Sequence, residues 1–216
     1  LSIDKLRASL LADKFLSPME ARMTAKTPLL YFDLGSPFAY LALERAASLL
    51  GVQPELQPVL LGAIFARRGF GSWANTPARD ARISEIEQRA RRYGLPALGW
   101  PAAWPGNGLI AMRCATWAQQ QGQGHAFARA VFRREFAQGA DIAEIDVLVD
   151  AGIEAGLDAD ALREASASSA VKQALREATD DAWALGVRGI PTVRVDDTLF
   201  YGDDQLELAA ASLAGS

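Results

Sequence analysis

Leu29-Leu30-Tyr31-Phe32-Asp33-Leu34-Gly35-Ser36-Pro37-Phe38-Ala39-Tyr40-Leu41 hands a strand over to a helix within a dozen residues. Leu29 to Leu34 is a short, mostly apolar run bounded by Pro28 and Gly35, which reads as a buried strand. Ser36 before Pro37 is a helix start. A serine can accept from the unpaired N–H groups of the first turn, and proline suits the first helical position because it has no N–H to lose. The apolar pattern continues through Tyr40, Leu41, Leu43, Ala47 and Leu50 to Gly51. Gln53 to Leu61 then predicts a second strand, with Val59, Leu60 and Leu61 held between Pro58 and Gly62. Strand, helix and strand open an α/β domain.

Outward from this unit, Gly62 to about Leu185 is helical in pattern, broken at Gly69 to Gly71, Gly94 to Pro105, Gly122 to Gly124, and Gly156. Ile110, Cys114 and Trp117 fall on one stripe, which makes Cys114 a core residue. Two short strands follow, Thr192 to Val195 and Leu199 to Tyr201, around the turn Asp196-Asp197. Asp203 or Asp204 is expected to cap a last helix running to Leu213. Residues 26–61 and 186–216 therefore form one α/β unit, and 62–185 a helical insertion with its return helix. Leu1 to Ala25 has helical apolar spacing at Ile3, Leu6, Leu10 and Leu11 and breaks at Ser17-Pro18. It reads as a helical extension, or as an upstream start ahead of Met19 and Met23, without the features of a secretory signal.

The 216 residues, 50% hydrophobic, can bury a full core without staples. A net charge of -4 argues against a nucleic-acid partner, since backbone binding draws on clustered Lys and Arg. No apolar run reaches the length of about 20 residues that a membrane-spanning helix needs. One cysteine excludes an internal disulfide, a Cys-x-x-Cys pair and a multi-thiolate metal site, and fits a reducing, cytoplasmic setting. One histidine, His125, removes most His-based metal and triad chemistry, and no metal is expected. What remains is hydroxyls, carboxylates, guanidiniums or a bound cofactor.

Two segments point to a site. Ser36 stands where a hydroxyl, the first N–H groups of a helix and the positive end of its dipole can favour one anion. A plain N-cap, worth about 1 kcal/mol, is the other reading of the same serine. The second segment, Gly186-Val187-Arg188-Gly189-Ile190-Pro191-Thr192-Val193, puts a proline directly before a strand. A cis bond there would present the backbone of Ile190 to a ligand, whereas a trans proline would simply open the strand.

Read together, these segments resemble the glutathione-dependent 2-hydroxychromene-2-carboxylate isomerase family, close to kappa-class glutathione transferases and, more distantly, DsbA-like thioredoxin proteins. The resemblance spans Leu29 to Leu213 and extends to Pro58-Val59-Leu60-Leu61-Gly62-Ala63-Ile64-Phe65, Arg92-Tyr93-Gly94-Leu95-Pro96, Trp104-Pro105-Gly106-Asn107, Gly139-Ala140-Asp141-Ile142 and Phe200-Tyr201-Gly202-Asp203-Asp204. It implies a thioredoxin-like fold with a large helical insertion, glutathione as cofactor, and a homodimer. It also implies that Ser36 replaces the first redox cysteine and steadies the glutathione thiolate, with Ala39 at the second cysteine position. Ile190 before Pro191 would pair with the tripeptide backbone, and Gly202, Asp203 and Asp204 would hold its γ-glutamyl end. Asp204 with Glu207 could equally form a capping box.

Three departures fall on the ligand side. Where family members carry Lys after Gly-Ala-Ile-Phe, this chain has Ala66 and then Arg67-Arg68, which makes Arg67 the candidate for the glycine carboxylate. Asn107-Gly108 replaces an Asn-Ser pair, and Gln205 stands where Arg is common. Asn107 would orient the substrate in this scheme, and Trp104 with Trp100 would either wall an aromatic pocket or cover the core. The resemblance implies an isomerase acting on an unsaturated aromatic carboxylate. A transferase conjugating glutathione to an electrophile, or a non-catalytic thioredoxin-like binding module, uses the same residues.

Overall fold

A computed structural model describes residues 27–215. The expected helical extension at 1–25 lies outside them. Four strands, β1 (Leu29–Phe32), β2 (Glu55–Pro58), β3 (Thr192–Val195) and β4 (Thr198–Tyr201), form one sheet in the order β2-β1-β3-β4. β1 runs parallel to β2, with Leu30 opposite Leu56, and antiparallel to β3, with Leu30 opposite Val193. Flanked on both edges, β1 is apolar throughout its length and not alternating.

Helix α1 (Pro37–Leu50) crosses between the parallel strands, capped by Ser36 and stopped by Gly51 in the left-handed region at φ 67°. The helical block follows β2: α2 (Leu61–Arg68), a 3-10 turn at Trp73–Asn75, α3 (Arg79–Arg92), α4 (Leu109–Gln120), α5 (Gly124–Gln138), α6 (Ile145–Glu154), α7 (Ala159–Ala167) and α8 (Ser169–Ala184). After β4 the chain makes a 3-10 turn at Asp203–Gln205 and ends in α9 (Leu206–Ala214). Phe32 lies 6.2 Å from Phe132, and Tyr40 stacks at 5.9 Å on Phe136, so sheet and first helix share one core with α5. No helix among the described residues is long and apolar enough to cross a membrane.

The second strand ends earlier than its apolar pattern predicts. After Pro58, the Leu60 N–H is taken by the Thr179 hydroxyl at 3.0 Å and the Leu61 N–H by the Asp33 carboxylate at 2.8 Å. These side chains end the ladder and turn Leu61 into the first residue of α2. The last helix differs too. Neither Asp203 nor Asp204 caps it, and Glu207 pairs with Arg45, so no capping box forms between Asp204 and Glu207.

Candidate functional site

A cavity of about 700 Å³ opens where the β1–α1 loop meets α2, α3 and the turn after β4. That is within the range of about 300–1,000 Å³ usual for small-molecule sites. Ser36, Ile190, Pro191, Gly202, Asp203 and Asp204 all line it, joined by Trp104 from the loop before α4. Arg67 and Asn107 are not brought to its wall.

Ser36 is 3% exposed, and its Oγ accepts from the Ala39 N–H at 3.3 Å. The hydroxyl proton is not used by that bond and can be donated into the cavity. Pro37 offers no N–H, so the first backbone donor of the helix is that of Phe38, another wall residue. Asp33 fixes this loop. Its two oxygens accept from Gly35 N at 2.9 Å and Leu61 N at 2.8 Å, tying the Ser36 loop to the start of α2. Burial pushes its carboxyl above the ordinary range, and those two N–H groups pull it partly back.

Helix α2 contributes Leu61, Phe65 and Arg68, at spacings of four and three, to the cavity wall. Arg67, about 100° around the helix, turns outward to pair with Asp180 and lies 5.6 Å from the ring of Trp183. The cation at this end of the cavity is therefore Arg68. Its Nη1 donates to the Arg188 carbonyl at 2.8 Å, its guanidinium covers Phe70 at 4.4 Å, and among the described residues it has no carboxylate partner. Placing Leu61 in a strand hid this helical stripe from the sequence reading.

Asn107 is a local brace, its Oδ1 accepting from Leu109 N at 3.1 Å to start α4. Trp104 serves core and wall together, with its ring 4.7 Å from Trp100 and 5.5 Å from Trp73. Phe38 extends this aromatic row, 6.2 Å from Trp73.

Ile190–Pro191 is a cis peptide bond, and Thr192 Oγ1 donates to the Gly189 carbonyl at 2.8 Å to hold the turn before β3. A Cβ at Gly189 would lie 2.3 Å from Cε2 of the exposed Tyr201, so a side chain there would push that ring aside. At the far end Gly202, φ 116°, turns the chain so that Asp203 points inward and Asp204 outward. Asp203 is 1% exposed and fully engaged, Oδ1 by Arg89 at 2.7 Å and Oδ2 by Tyr93 at 3.0 Å. Asp204, with its side chain 53% exposed and paired with Arg89 Nη1 at 3.4 Å, is the more accessible carboxylate of the two. Arg89 escaped the sequence reading, because nothing local marks which arginine of α3 reaches a turn 114 residues away.

Residues 29–214 match the DSBA-like thioredoxin domain. The chain belongs to this family. The sequence holds a single cysteine, Cys114, and it is buried. Burial pushes the Cys114 thiol up to about 12, so it stays protonated. The chain is 33% identical over 195 residues to 2-hydroxychromene-2-carboxylate isomerase of Sphingobium xenophagum, covering 87% of this chain and 98% of that protein. A 2-hydroxychromene-2-carboxylate isomerase structure superposes with a TM-score of 0.80 at 22% identity, over 88% of this chain and 95% of the other. The cytosolic disulfide reductase DsbM from Pseudomonas aeruginosa, solved with GSH, shares the fold at a TM-score of 0.59 and 17% identity, over 88% and 96% of the two chains.

One further carboxyl sits behind the site of this DSBA-like domain. Glu135 on α5 is 2% exposed, and its Oε2 has no hydrogen-bond partner among the described residues. Burial, and then the negative charges of Asp33 and Asp141, hold its proton well above the ordinary carboxylate range. The folded protein thus binds this proton more tightly than the unfolded chain. Its contribution to stability is present below the ordinary carboxylate value and is lost as pH rises through the folded one. Melting temperature is expected to fall from pH 5 to pH 8, and Glu135→Gln to flatten that fall. Calorimetric scans at several pH values check this; parallel curves for the two proteins would exclude a titrating Glu135.

Proposed function

We propose that this chain is a glutathione-dependent isomerase of the 2-hydroxychromene-2-carboxylate type, acting on an unsaturated aromatic carboxylate. The observation that carries the reading is one cavity holding a buried serine hydroxyl, an arginine with no carboxylate partner among the described residues, and a half-exposed aspartate beside Arg89. Their chemistry fits glutathione. Ser36 faces the thiol position, Arg68 suits the glycine carboxylate, and Asp204 suits the ammonium. The first N–H groups around Asp203–Gln205 complement the neighbouring carboxylate, and Ile190 offers its backbone to the peptide between.

Within this reading, the Ser36 hydroxyl donates to the sulfur and favours its ionised form over the thiol. Bound glutathione supplies a nucleophile that adds reversibly to a conjugated carbon, lets the adjacent bond rotate and leaves unchanged. Asp33 keeps the Ser36 loop and α2 in register, so hydroxyl and Arg68 hold the central thiol and the glycine end of the tripeptide a fixed distance apart. The wall of Phe38, Trp73 and Trp104 excludes water from the second ligand. The absence of a second redox cysteine at Ala39 leaves the chain no disulfide exchange of its own.

Calorimetric titration with glutathione, followed by parallel assays on a hydroxychromene carboxylate and a chlorinated nitroaromatic, tests the proposal. Glutathione binding with isomerase turnover is expected. Conjugation of the nitroaromatic alone would make the chain a transferase, and no binding at all would make it a non-catalytic module.

A further inference from the structure

Helix α3 presents arginines at 79, 82 and 89, spacings of three and seven that place them along one side of the helix. The two outer ones are committed. Arg79 donates to the Trp104 carbonyl at 3.2 Å and lies 5.8 Å from that ring, while Arg89 is bound to Asp203 and lies 5.4 Å from the ring of Phe38. Arg82 therefore sits between the arginine that touches one end of the aromatic row and the arginine that touches the other, and it lines the cavity. Glu85 holds it there, accepting from Arg82 Nη1 at 2.8 Å and from Arg89 Nη2 at 2.6 Å. Sharing one carboxylate between two guanidiniums leaves Arg82 only partly neutralised, with its side chain half-exposed.

We infer that Arg82 is the specificity-determining residue for the second substrate: it selects a flat, anionic aromatic compound over its neutral analogue. This rests on the reading above, in which Arg68 and Asp204 are occupied by glutathione and Arg82 is the wall cation left over. The aromatic row of Phe38, Trp73 and Trp104 takes the ring face, and the free guanidinium N–H groups of Arg82 take the acid group at its edge. Each contact is of ordinary strength, but the charge term is partly desolvated, so a neutral analogue loses it without any gain in ring contact.

Naphthoate and naphthamide serve as probes because they share a ring system and differ in charge. They are titrated calorimetrically into the protein and into Arg82→Gln, each with and without saturating glutathione. The unsubstituted protein is expected to bind naphthoate about tenfold more tightly than naphthamide, the scale of one hydrogen-bonded charge. Arg82→Gln should erase the difference without changing naphthamide affinity, and Arg82→Lys should keep most of it. Glutathione affinity should stay within about twofold in both variants, because Arg82 is not among the groups assigned to the tripeptide. Equal binding of the two probes by the unsubstituted protein, or an unchanged preference in Arg82→Gln, would overturn the assignment. If glutathione fails to bind while the naphthoate preference holds and disappears with Arg82→Gln, the isomerase reading falls and the anion subsite stands.

Discussion

Ser36→Ala is expected to raise the pKa of bound glutathione by about one to two units, followed as thiolate absorbance in the ultraviolet against pH. The magnitude follows from the geometry. A neutral donor to an ionised acceptor contributes about 1.5–3 kcal/mol, and one unit corresponds to 1.36 kcal/mol. A free thiol near 8.5 is a few per cent ionised at neutral pH, so most of the reactive form depends on that one hydroxyl together with the helix start. Turnover at pH 7 should fall by about 8- to 25-fold, the loss of ionised thiol that a shift of this size back to the free value produces.

The same serine also caps α1, and the two roles must be separated. Alanine removes the cap to Ala39 as well as the donor, at about 1 kcal/mol of stability. Ser36→Gly removes the donor but costs only a few tenths in the cap. If the hydroxyl serves the thiolate, both variants shift the pKa alike although only Ser36→Ala melts appreciably lower. A pKa that tracks the melting temperature, or one that does not move, would reduce Ser36 to a helix cap.

Much of this site was readable from the chain because its parts are local. Ser36-Pro37 is a cap and a first helical residue whatever surrounds it, and Gly202 before two aspartates marks a turn on its own. The strands at either end of the helical block are short apolar runs between breakers, so an α/β sheet split by a helical insertion followed from pattern, and its thioredoxin-like character from the family resemblance. What misled the reading was a boundary. Val59 to Leu61 continues the strand's apolar run, and only donors captured by Asp33 and Thr179 stop it, one of them 119 residues away in sequence. Arg67 was the cation nearest the position where family members carry Lys, but the phase of α2 turns it toward Asp180 and brings Arg68 to the cavity. Asn107 was misplaced because an asparagine beside a ligand and one that starts a helix look alike in sequence.

The long-range tie at Asp203 was not legible at all, and its removal is expected to cost the most stability. Asp203→Ala strips Arg89 and Tyr93 of the acceptors at 2.7 and 3.0 Å and leaves a largely buried guanidinium, 17% exposed, with only Glu85 and the more distant Asp204. Breaking one side of a buried pair costs about 3–5 kcal/mol, and the remaining Glu85 contact places this case near about 3. For a chain of this size, each kcal/mol moves the melting temperature by about 2–4 °C, so a fall of about 6–12 °C is expected in a thermal scan. Asp203→Asn keeps the shape and an acceptor and should lose less. A double-mutant cycle with Arg89→Ala separates pairing from burial: a coupling of about 2 kcal/mol is expected for contacting residues that share one network. The Asp203 carbonyl also accepts from Arg45 at 3.1 Å, and the Arg45 guanidinium lies 3.5 Å over Tyr93, so the turn after β4, α1 and α3 meet on this one residue. Asp204 is carried by that turn, which gives Asp203→Ala a second readout. Glutathione affinity should fall with stability although Asp203 itself offers the ligand no free oxygen, whereas additivity in the cycle and unchanged affinity would mean that Arg89 holds nothing in place.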